Sequence, residues 1–270
     1  MSTPERFAYG SAAERRDRLA RYVNEQGYCT IAELSSRLGV SEMTIRRDIA
    51  RLVGEKQVRA FHGGVGSLAP GDLSGIEYVD RDRRRSDAKL AIAQHAVDSL
   101  PRGSVIGIDA GTTAAHIAAS LPHDAALRVV TPSLPAITAL AGNRGVELTG
   151  LGGLLHWESL SFAGETTLAM ISELRLDVLF LAASGLDERG AYCGNGFDAV
   201  TKRALIEVAD TVVLVADSSK FTASGMVRIC DWEAIDVLIS DDEISPESAA
   251  IVAAADVDLQ RVAVAAEVQR

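Results

Sequence analysis

The sequence predicts an α/β protein in two parts, a winged helix-turn-helix domain at residues 12–66 and a larger α/β domain at residues 87–270, joined by a linker at 67–86. Near the N-terminus, capping residues and apolar spacing mark two short helices joined by a tight turn. After the linker, short β-rich apolar runs alternate with helical stretches, which is typical of a mainly parallel sheet covered by helices. At 270 residues with 47% hydrophobic residues, the chain is long enough for both domains.

The segment Val40 to Leu52, VSEMTIRRDIARL, predicts a helix that can lie against DNA. Ser41 can accept a hydrogen bond from the free amides of a first helical turn. Ile45, Ile49 and Leu52 fall in one narrow apolar stripe, as on the core side of a helix. Arginine has the planar donors that suit guanine or phosphate, so the other side can approach a groove closely. That side carries Met43, Thr44, Arg47, Ala50 and Arg51, with Arg46 on its flank.

A shorter helix precedes this segment. Thr30 and Glu33 form a capping-box pattern at its start, and Gly39 stands where a left-handed residue ends a helix. Two helices joined by residues 39–41 are typical of a helix-turn-helix, in which the second helix enters the major groove.

A hairpin is predicted behind the second helix. Residues 57–61 alternate in part between apolar and polar side chains and lead into His62-Gly63-Gly64. The hairpin would make the domain a winged helix, with Arg59 and His62 against the DNA phosphates.

Charge is divided unevenly along the chain, whose net charge is −10. Residues 1–66 carry +3 and the remainder carries −13. A basic N-terminal part on an acidic remainder lets only one face of the protein approach DNA, because the phosphates repel the acidic part. Acidic surfaces are also common in cytoplasmic proteins, and an isolated arginine-rich helix is more often simply solvated. Both alternatives stay open on charge alone.

The composition predicts a cytoplasmic protein. No apolar run approaches the ~20 residues that a membrane helix needs, and the first residues lack the apolar segment of a secretion signal. Cys29, Cys193 and Cys230 are too few and too widely spaced for a disulfide framework or a zinc site. They are predicted to be ordinary thiols, with a redox sensor as the alternative. We expect no metal and no cofactor.

The linker prediction rests on a stretch rich in Gly, Ser, Pro and charge that ends in the arginine run Asp80 to Arg85. The strands predicted beyond it are Ser104 to Ile108, Arg128 to Thr131, Val146 to Thr149, Val178 to Ala182, Thr211 to Val215, Val237 to Ile239 and Arg261 to Ala265. The predicted helices are Asp87 to Leu100, Ala114 to Ser120, Leu134 to Ala141, Glu165 to Leu174, Ala199 to Ala209 and Pro246 to Ala255.

The loops after these strands are candidates for a ligand site, because parallel strands open onto a crevice at their carboxyl ends. The first loop, Asp109-Ala-Gly-Thr-Thr113, has a glycine, two hydroxyls and a following helix whose free amides suit an anion. A tight strand-to-helix turn would need the same residues. Later loops are also small and polar, and Lys220 adds a point charge for a phosphate or carboxylate. An exposed surface lysine is the alternative for Lys220.

From about Arg15 to Val65 the chain resembles the DNA-binding domain of the DeoR family of bacterial transcriptional regulators. The matching signature is TIAELSSRLGVSEMTIRRDIARL followed by VRAFHGGV. The resemblance implies a winged helix. The residues it implies for DNA contact are Ser41, Thr44, Arg46, Arg47 and Arg51.

The resemblance extends over nearly the whole chain through DAGTT, LGG at residues 151–153, SFAGE, FLAASGLDERG and DSSKF. Sensor domains of this family have a Rossmann-like fold of the ribose-5-phosphate isomerase and glucosamine-6-phosphate deaminase type and respond to phosphorylated sugars. The ligand-binding residues that the resemblance implies are Asp109, Gly111, Thr112, Thr113, Thr131, Gly152, Gly153 and Lys220. The chain departs from the family pattern at Pro132, where asparagine is common, and at Asp198, where glutamate is common, with Lys202 one turn later.

An enzyme of the sugar-phosphate isomerase or deaminase class with an attached DNA-binding domain is the alternative. Asp109, Glu165 and Asp187 offer carboxylates for proton transfer, but no acid and base pair has a spacing that demands catalysis. A purely architectural DNA binder is a third possibility, which the large second domain disfavours. We therefore predict a regulator without catalytic residues that represses a sugar or carbohydrate catabolic operon. Its expected partners are operator DNA, a phosphorylated sugar effector and further copies of the chain in a homodimer or homotetramer.

Overall fold

The computed structural model describes residues 12–26, 28–55, 57–61, 64–66, 76–223 and 225–264. The chain divides into two compact units, Met1–Glu77 and Tyr78–Arg270. Across the described residues, no helix has the length and apolar character needed to cross a membrane.

The N-terminal unit is a winged helix-turn-helix. Its elements are α1 (Ala12–Gln26), β1 (Tyr28–Thr30), α2 (Ile31–Leu38), α3 (Glu42–Gly54), β2 (Arg59–Phe61) and β3 (Gly64–Gly66). The predicted hairpin is confirmed as the antiparallel pair of β2 and β3. β1 adds a third strand to this sheet by pairing with β3, which the sequence analysis did not predict.

Capping residues determine where α2 and α3 begin and end. Thr30 and Glu33 form the predicted capping box at the start of α2, and Gly39 ends that helix with φ of 66°. Ser41 caps α3 by accepting a hydrogen bond from the amide of Thr44. The turn between the helices therefore follows the local rules that predicted it.

A helix that was not expected occupies part of the predicted linker at 67–86. α4 (Ile76–Arg83) is followed by α5 (Ser86–Asp98), and Arg85 between them has a left-handed φ of 52°. An ion pair between Asp80 and Arg84, 2.5 Å apart, joins residues one turn apart. The charged composition that suggested an irregular linker therefore belongs in part to a solvated helical surface.

The second unit contains a seven-stranded, wholly parallel sheet in the order β15-β14-β12-β9-β4-β5-β6. The strands of the unit are β4 (Val105–Ile108), β5 (Leu127–Thr131), β6 (Val146–Gly150), β7 (Leu154–His156), β8 (Ser161–Ala163), β9 (Val178–Ala182), β10 (Gly185–Asp187), β11 (Gly190–Cys193), β12 (Val212–Val215), β13 (Val227–Cys230), β14 (Val237–Asp241) and β15 (Asp258–Val262). The further helices are α6 (Thr112–Ser120), α7 (Leu134–Leu140), α8 (Glu165–Ile171), α9 (Gly196–Glu207) and α10 (Pro246–Ala254).

Each face of the sheet has its own hydrophobic core. Along β9, Leu179 and Leu181 belong to one buried cluster, while Phe180 and Ala182 belong to the other. This is the alternation expected of a strand buried on both faces. The two-part α/β fold class predicted from sequence is confirmed.

Most of the predicted elements are confirmed, with helix ends that differ by up to three residues. The strand predicted at Arg261 to Ala265 is wrong in position, because β15 spans Asp258–Val262. β15 is an edge strand that pairs only with β14, and it carries polar residues such as Asp258 and Gln260. An edge strand needs less apolar content than a central one, so the apolar run that guided the prediction lay too late in the chain.

The strand order reverses between β4 and β9. From β4 the chain continues through β5 to β6 in one direction, then returns to β9 and continues through β12 and β14 to β15 in the other. Sheets of this kind bind ligands outside the carboxyl ends of the strands at such a reversal. The residues after β4 and β9 are therefore the first place to look for a site.

Candidate functional site

The second helix of the helix-turn-helix, α3, buries one side and exposes the other, as predicted. Ile45, Ile49 and Leu52 are buried in the core of the N-terminal unit. Met43 and Arg47 are exposed on the opposite side. Within the described part of the N-terminal unit, this side of α3 is solvent-exposed and carries arginine, as a helix that enters a DNA groove requires.

Two of the predicted DNA-contact arginines have acidic partners on the same helix. Arg46 lies 3.7 Å from Glu42, and Arg51 lies 3.2 Å from Glu55. Among the described residues, Arg47 has no ion-pair partner. Its guanidinium can therefore reach DNA without first breaking a contact.

The remaining predicted DNA contacts lie at the start of α3 and in the wing. The Ser41 and Thr44 hydroxyls lie 3.0 Å apart at the exposed start of α3. Arg59 begins β2, but its side chain lies outside the description, and His62 lies outside the described residues. The wing contacts therefore stay a prediction.

Asp48 is an acidic residue on α3 that sequence reasoning did not assign. It is buried, and its carboxylate accepts hydrogen bonds from the Arg15 guanidinium of α1 at 2.6 and 3.2 Å. Arg16 lies 3.9 Å away. Asp48 therefore joins α3 to α1 on the buried side of α3 and fixes the position of α3 in the N-terminal unit.

Asp109 and Lys202 form a buried ion pair at the strand reversal. The Lys202 ammonium on α9 donates to Oδ2 of Asp109 and to the carbonyls of Ala110 and Ala182, at 2.9 and 3.0 Å. Asp109 Oδ2 also accepts a hydrogen bond from the Ala182 amide at 2.9 Å. All three ammonium protons are used, and the pair ties the loop after β4 to the end of β9.

The other carboxylate oxygen, Asp109 Oδ1, is buried without a hydrogen-bond partner among the described residues. Burial raises the pKa of Asp109, although the Lys202 ammonium opposes the rise. A buried acceptor without a donor costs about 1–3 kcal/mol. The local backbone amides of Ala110 and Ala182 also act to lower the pKa of this carboxylate.

The loop after β4 packs closely against β9. A Cβ added at Gly111 would lie 2.4 Å from the Ala182 Cβ, which real Cβ contacts do not show. Glycine is therefore required at position 111 for the close approach of this loop to β9.

The first turn of α6 has no side-chain cap. Gly111 is the residue at its N-cap position, and no side chain accepts a hydrogen bond from the first amides. Thr112 and Thr113, both buried, are the first residues of the helix. Free amides and the positive end of the helix dipole at this point suit an anion such as a phosphate.

Thr131 has a structural task that the sequence did not indicate. Its hydroxyl donates to the Ile108 carbonyl at 2.5 Å and accepts from the Ser133 amide at 3.1 Å. The first bond joins the ends of β4 and β5, and the second is local. The hydroxyl has already used its one proton, so it could only accept a hydrogen bond from a ligand.

Gly152 and Gly153 follow β6 beside the hairpin of β7 and β8. The Gly152 carbonyl accepts a hydrogen bond from the Thr167 hydroxyl at 2.6 Å. Gly153 has φ of 142°, and an added Cβ would lie 2.2 Å from the Thr167 Oγ1. Thr167 therefore fixes both glycines in position along the crevice.

Lys220 lies after β12, in a short 3-10 helix at Ser218–Phe221. Its ammonium is 3.9 Å from the Asp217 carboxylate, and its side chain is 20% exposed. Burial lowers the pKa of Lys220; Asp217 opposes the shift, and Arg81 and Arg84 add to it. The predicted ligand residues thus spread along the carboxyl edge of the sheet from β6 to β12.

Asp198, the departure from the family pattern, is the centre of a polar network. Its carboxylate accepts hydrogen bonds from Ser161 at 2.6 Å, Ser159 at 3.1 Å and the Asn195 side chain at 2.8 Å. Burial alone would raise the pKa of Asp198, but the Lys202 ammonium and these donors lower it. Asp198 is therefore held as a carboxylate one helical turn from Lys202.

Two other features involve residues that were not predicted to bind the ligand. A surface cavity of about 400 Å³ is lined by residues of the β10–β11 turn, β13 and α10, including Arg228 and Trp232. Burial raises the pKa of Cys193 and raises that of Cys230 to about 11. Raised thiol pKa values favour the prediction of ordinary thiols over a redox sensor.

Comparison with known proteins gives matches over both units. Residues 15–70 match the DeoR-like helix-turn-helix domain, and residues 84–242 match the DeoR C terminal sensor domain. The chain is 35% identical over 229 residues to a glycerol-3-phosphate regulon repressor of Haemophilus influenzae, covering 84% of this chain and 89% of the relative. It is 31% identical to the L-fucose operon activator of the same organism, covering 84% and 91%.

Among solved structures, ribose 5-phosphate isomerase A from Methanocaldococcus jannaschii is similar with a TM-score of 0.38 and 22% identity, over 50% of this chain and 54% of that one. A likeness this weak carries no argument about function.

A winged helix with exposed arginines, followed by an α/β domain whose parallel strands reverse their order between β4 and β9, is the architecture of a DNA-binding transcriptional regulator with a sensor domain. The family matches and the full-length relatives agree with that class. The chain belongs to the DeoR family of transcriptional regulators.

Proposed function

We propose that this regulator represses a carbohydrate catabolic operon and that a phosphorylated sugar bound in the sensor domain lowers its affinity for operator DNA. One observation carries the proposal: the uncapped first turn of α6 lies directly after Asp109, whose Oδ1 is buried without a donor. The first feature suits a phosphate and the second a sugar hydroxyl. A phosphorylated sugar carries both groups.

The remaining predicted residues extend this crevice. Gly152 and Gly153 allow close approach along the backbone beside β7, and Lys220 offers a cation at the opposite end. An anionic ligand would offset the electrostatic repulsion between Lys220 and the nearby Arg81 and Arg84. The named relatives support the class of ligand, since one is a glycerol-3-phosphate regulon repressor.

DNA binding is assigned to α3 and the wing. In a homodimer or homotetramer, two winged helices would read repeated half-sites at a spacing matched to the DNA turn. Ligand can reduce affinity only if it binds better to the arrangement that misplaces these heads. The compartment we propose is the cytoplasm, where operator DNA lies.

We propose binding without turnover. Proton transfer on a sugar needs a carboxylate or histidine that is free to change its protonation state. Of the three candidate carboxylates, Asp109 is engaged by Lys202, Asp187 accepts a hydrogen bond from the Arg189 amide, and Glu165 is exposed to solvent. Incubation with sugar phosphates followed by product analysis tests this; conversion at enzymatic rates would favour the isomerase or deaminase alternative.

The sign of regulation needs its own test, because one relative is named an activator. A reporter gene behind the operator should be expressed more strongly when the chain is deleted. Lower expression on deletion would make the protein an activator.

The effector site is tested by Thr112→Ala and Lys220→Ala. Both variants should keep operator affinity within about threefold of the parent, a change below ~0.7 kcal/mol, and lose the response to sugar phosphates. Arg175→Ala is the matched control, because Arg175 forms an exposed ion pair with Asp210 at the amino ends of β9 and β12, opposite to the ends that carry the predicted ligand residues. A normal response in both site variants would remove these residues from the effector site.

A further inference from the structure

α4 lies between the two family matches, since one ends at residue 70 and the other begins at residue 84. It spans Ile76–Arg83, so it includes the point where the two compact units divide. Any signal carried along the chain from the sensor domain to the DNA-binding domain must pass through it.

On one side of the strand reversal, α4 contacts two elements that border the crevice. The Asp82 carboxylate is 3.1 Å from the Nε2 of His116 on α6, the helix with the uncapped first turn. The Arg81 guanidinium donates to the Glu158 carbonyl, in the turn between β7 and β8, at 3.3 Å. Both partners belong to elements that follow β4 or β6 in the chain.

On the other side, Arg85 directly after α4 holds the loops that follow β12 and β14. Its guanidinium is 3.0 Å from Asp241, 2.8 Å from Glu243 and 3.7 Å from Asp217. Asp217 and Asp241 are almost completely buried. Residues 81–85 therefore span the carboxyl edge of the sheet from one side of the reversal to the other.

Lys89 fixes this span to the sensor domain. It is buried on α5, and its ammonium donates to the carbonyls of Arg81, Asp82 and Arg84. These carbonyls belong to the end of α4, where backbone acceptors lack helical partners. Lys89 thus closes the end of α4 with all three of its protons.

Several positive charges lie near Lys220, so an anion bound there would change the electrostatic energy of residues 81–85. Burial lowers the pKa of Lys89 to about 8; Lys220 and Arg81 add to the lowering, and Asp217 and Asp82 oppose it. Arg81 and Arg84 act in the same direction on Lys220. An anion beside Lys220 would offset the repulsion among these cations and hold the span more firmly.

We propose that residues 81–89 roof the effector crevice, with Lys89 as the positioning residue, and that α4 passes the effector state to the DNA-binding domain. The proposal rests on the proposed function, because it takes the crevice as the effector site. Ligand beneath the roof would favour one position of α4, and the domain attached to α4 would change its affinity for DNA with it.

Hydrogen exchange of the full chain tests the roof directly. Inorganic phosphate, glycerol 3-phosphate and ribose 5-phosphate are the probes, with binding measured by calorimetry on the same samples. For a probe that binds, amides of residues 80–90 should exchange at least about tenfold more slowly, while those of α10 stay unchanged. Unchanged exchange at 80–90 with a bound probe would overturn the roof. Absence of binding by every probe would instead remove the proposed function, and the roof with it.

Coupling is tested with Lys89→Met and the milder Asp82→Ala, with Arg175→Ala as control. Regulators of this kind couple their sites by about 5–150-fold in affinity. Both variants should bind the probe within about fivefold of the parent, yet the probe should change their operator affinity by less than about twofold. A folded Asp82→Ala variant with the parent's full response would contradict the proposal, even if Lys89→Met does not fold.

Discussion

The ammonium of Lys202 and the carboxylate of Asp109, 93 residues apart in sequence, form a buried ion pair at the carboxyl ends of the neighbouring strands β4 and β9. The pair positions the loop that leads into α6 and leaves one oxygen of Asp109 without a donor. The same contact thus stabilises the fold at the strand reversal and holds the residue that we propose as a ligand acceptor.

Replacing Lys202 should destabilise the sensor domain strongly. Lys202→Met leaves a buried carboxylate without its cation, a change that costs about 3–5 kcal/mol in comparable sites. Urea unfolding of the full chain measures the loss. The double variant Asp109→Asn with Lys202→Met removes both charges and should recover part of the stability; no recovery would mean that the charge of Asp109 is not the cause.

Asp198 should make stability depend on pH in the acid range. A carboxyl whose pKa is lowered in the folded state stabilises above its unfolded pKa, and this contribution is lost as pH falls through the folded value. Asp198→Asn should therefore cost about 1–3 kcal/mol near pH 7 and less as pH falls below 3.8, the ordinary value for this carboxyl. Unfolding curves over this range check it. An equal deficit at every pH would exclude the carboxylate charge as the source.

Arg47 should contribute to DNA affinity without contributing to folding. It is exposed on α3 and has no ion-pair partner among the described residues. Arg47→Ala should weaken operator binding by about 1–3 kcal/mol if it reads a base, or reduce the salt dependence by about one phosphate contact if it does not. Equilibrium binding at several salt concentrations separates these results. Unchanged affinity and salt slope would remove Arg47 from the interface.

Asp48 should act through the position of α3. Its buried contact with Arg15 joins α3 to α1. Asp48→Ala should lower the stability of the N-terminal unit by about 1–3 kcal/mol, because the Arg15 donors lose a buried acceptor. Glu55→Ala is the control, since Glu55 forms an exposed pair with Arg51 worth about 0.3–0.5 kcal/mol. Equal losses in the two variants would argue against a special role for Asp48.

Local signals predicted much of the fold. Thr30, Glu33, Gly39 and Ser41 act within one helical turn of the residues they cap, so their pattern could be recognised directly. The apolar runs of the central strands were equally clear, because both faces of the sheet are buried.

Long-range contacts explain what the sequence did not predict. Nothing near Lys202 indicates that its partner is Asp109, and the hydroxyl of Thr131 is used by a carbonyl of the neighbouring strand. α4 was missed because its charged residues resemble a linker, while its partners are distant in sequence, such as Glu158 for Arg81, 77 residues away.

Fluorescence anisotropy on DNA from upstream of the gene itself and of its neighbouring operon tests the central claim most directly. The full chain would be titrated at two salt concentrations beside a scrambled duplex, then challenged with a panel of sugar phosphates. The account predicts tight, sequence-selective, salt-dependent binding that at least one phosphorylated sugar reverses. No preference among duplexes, together with turnover of a sugar phosphate, would contradict it.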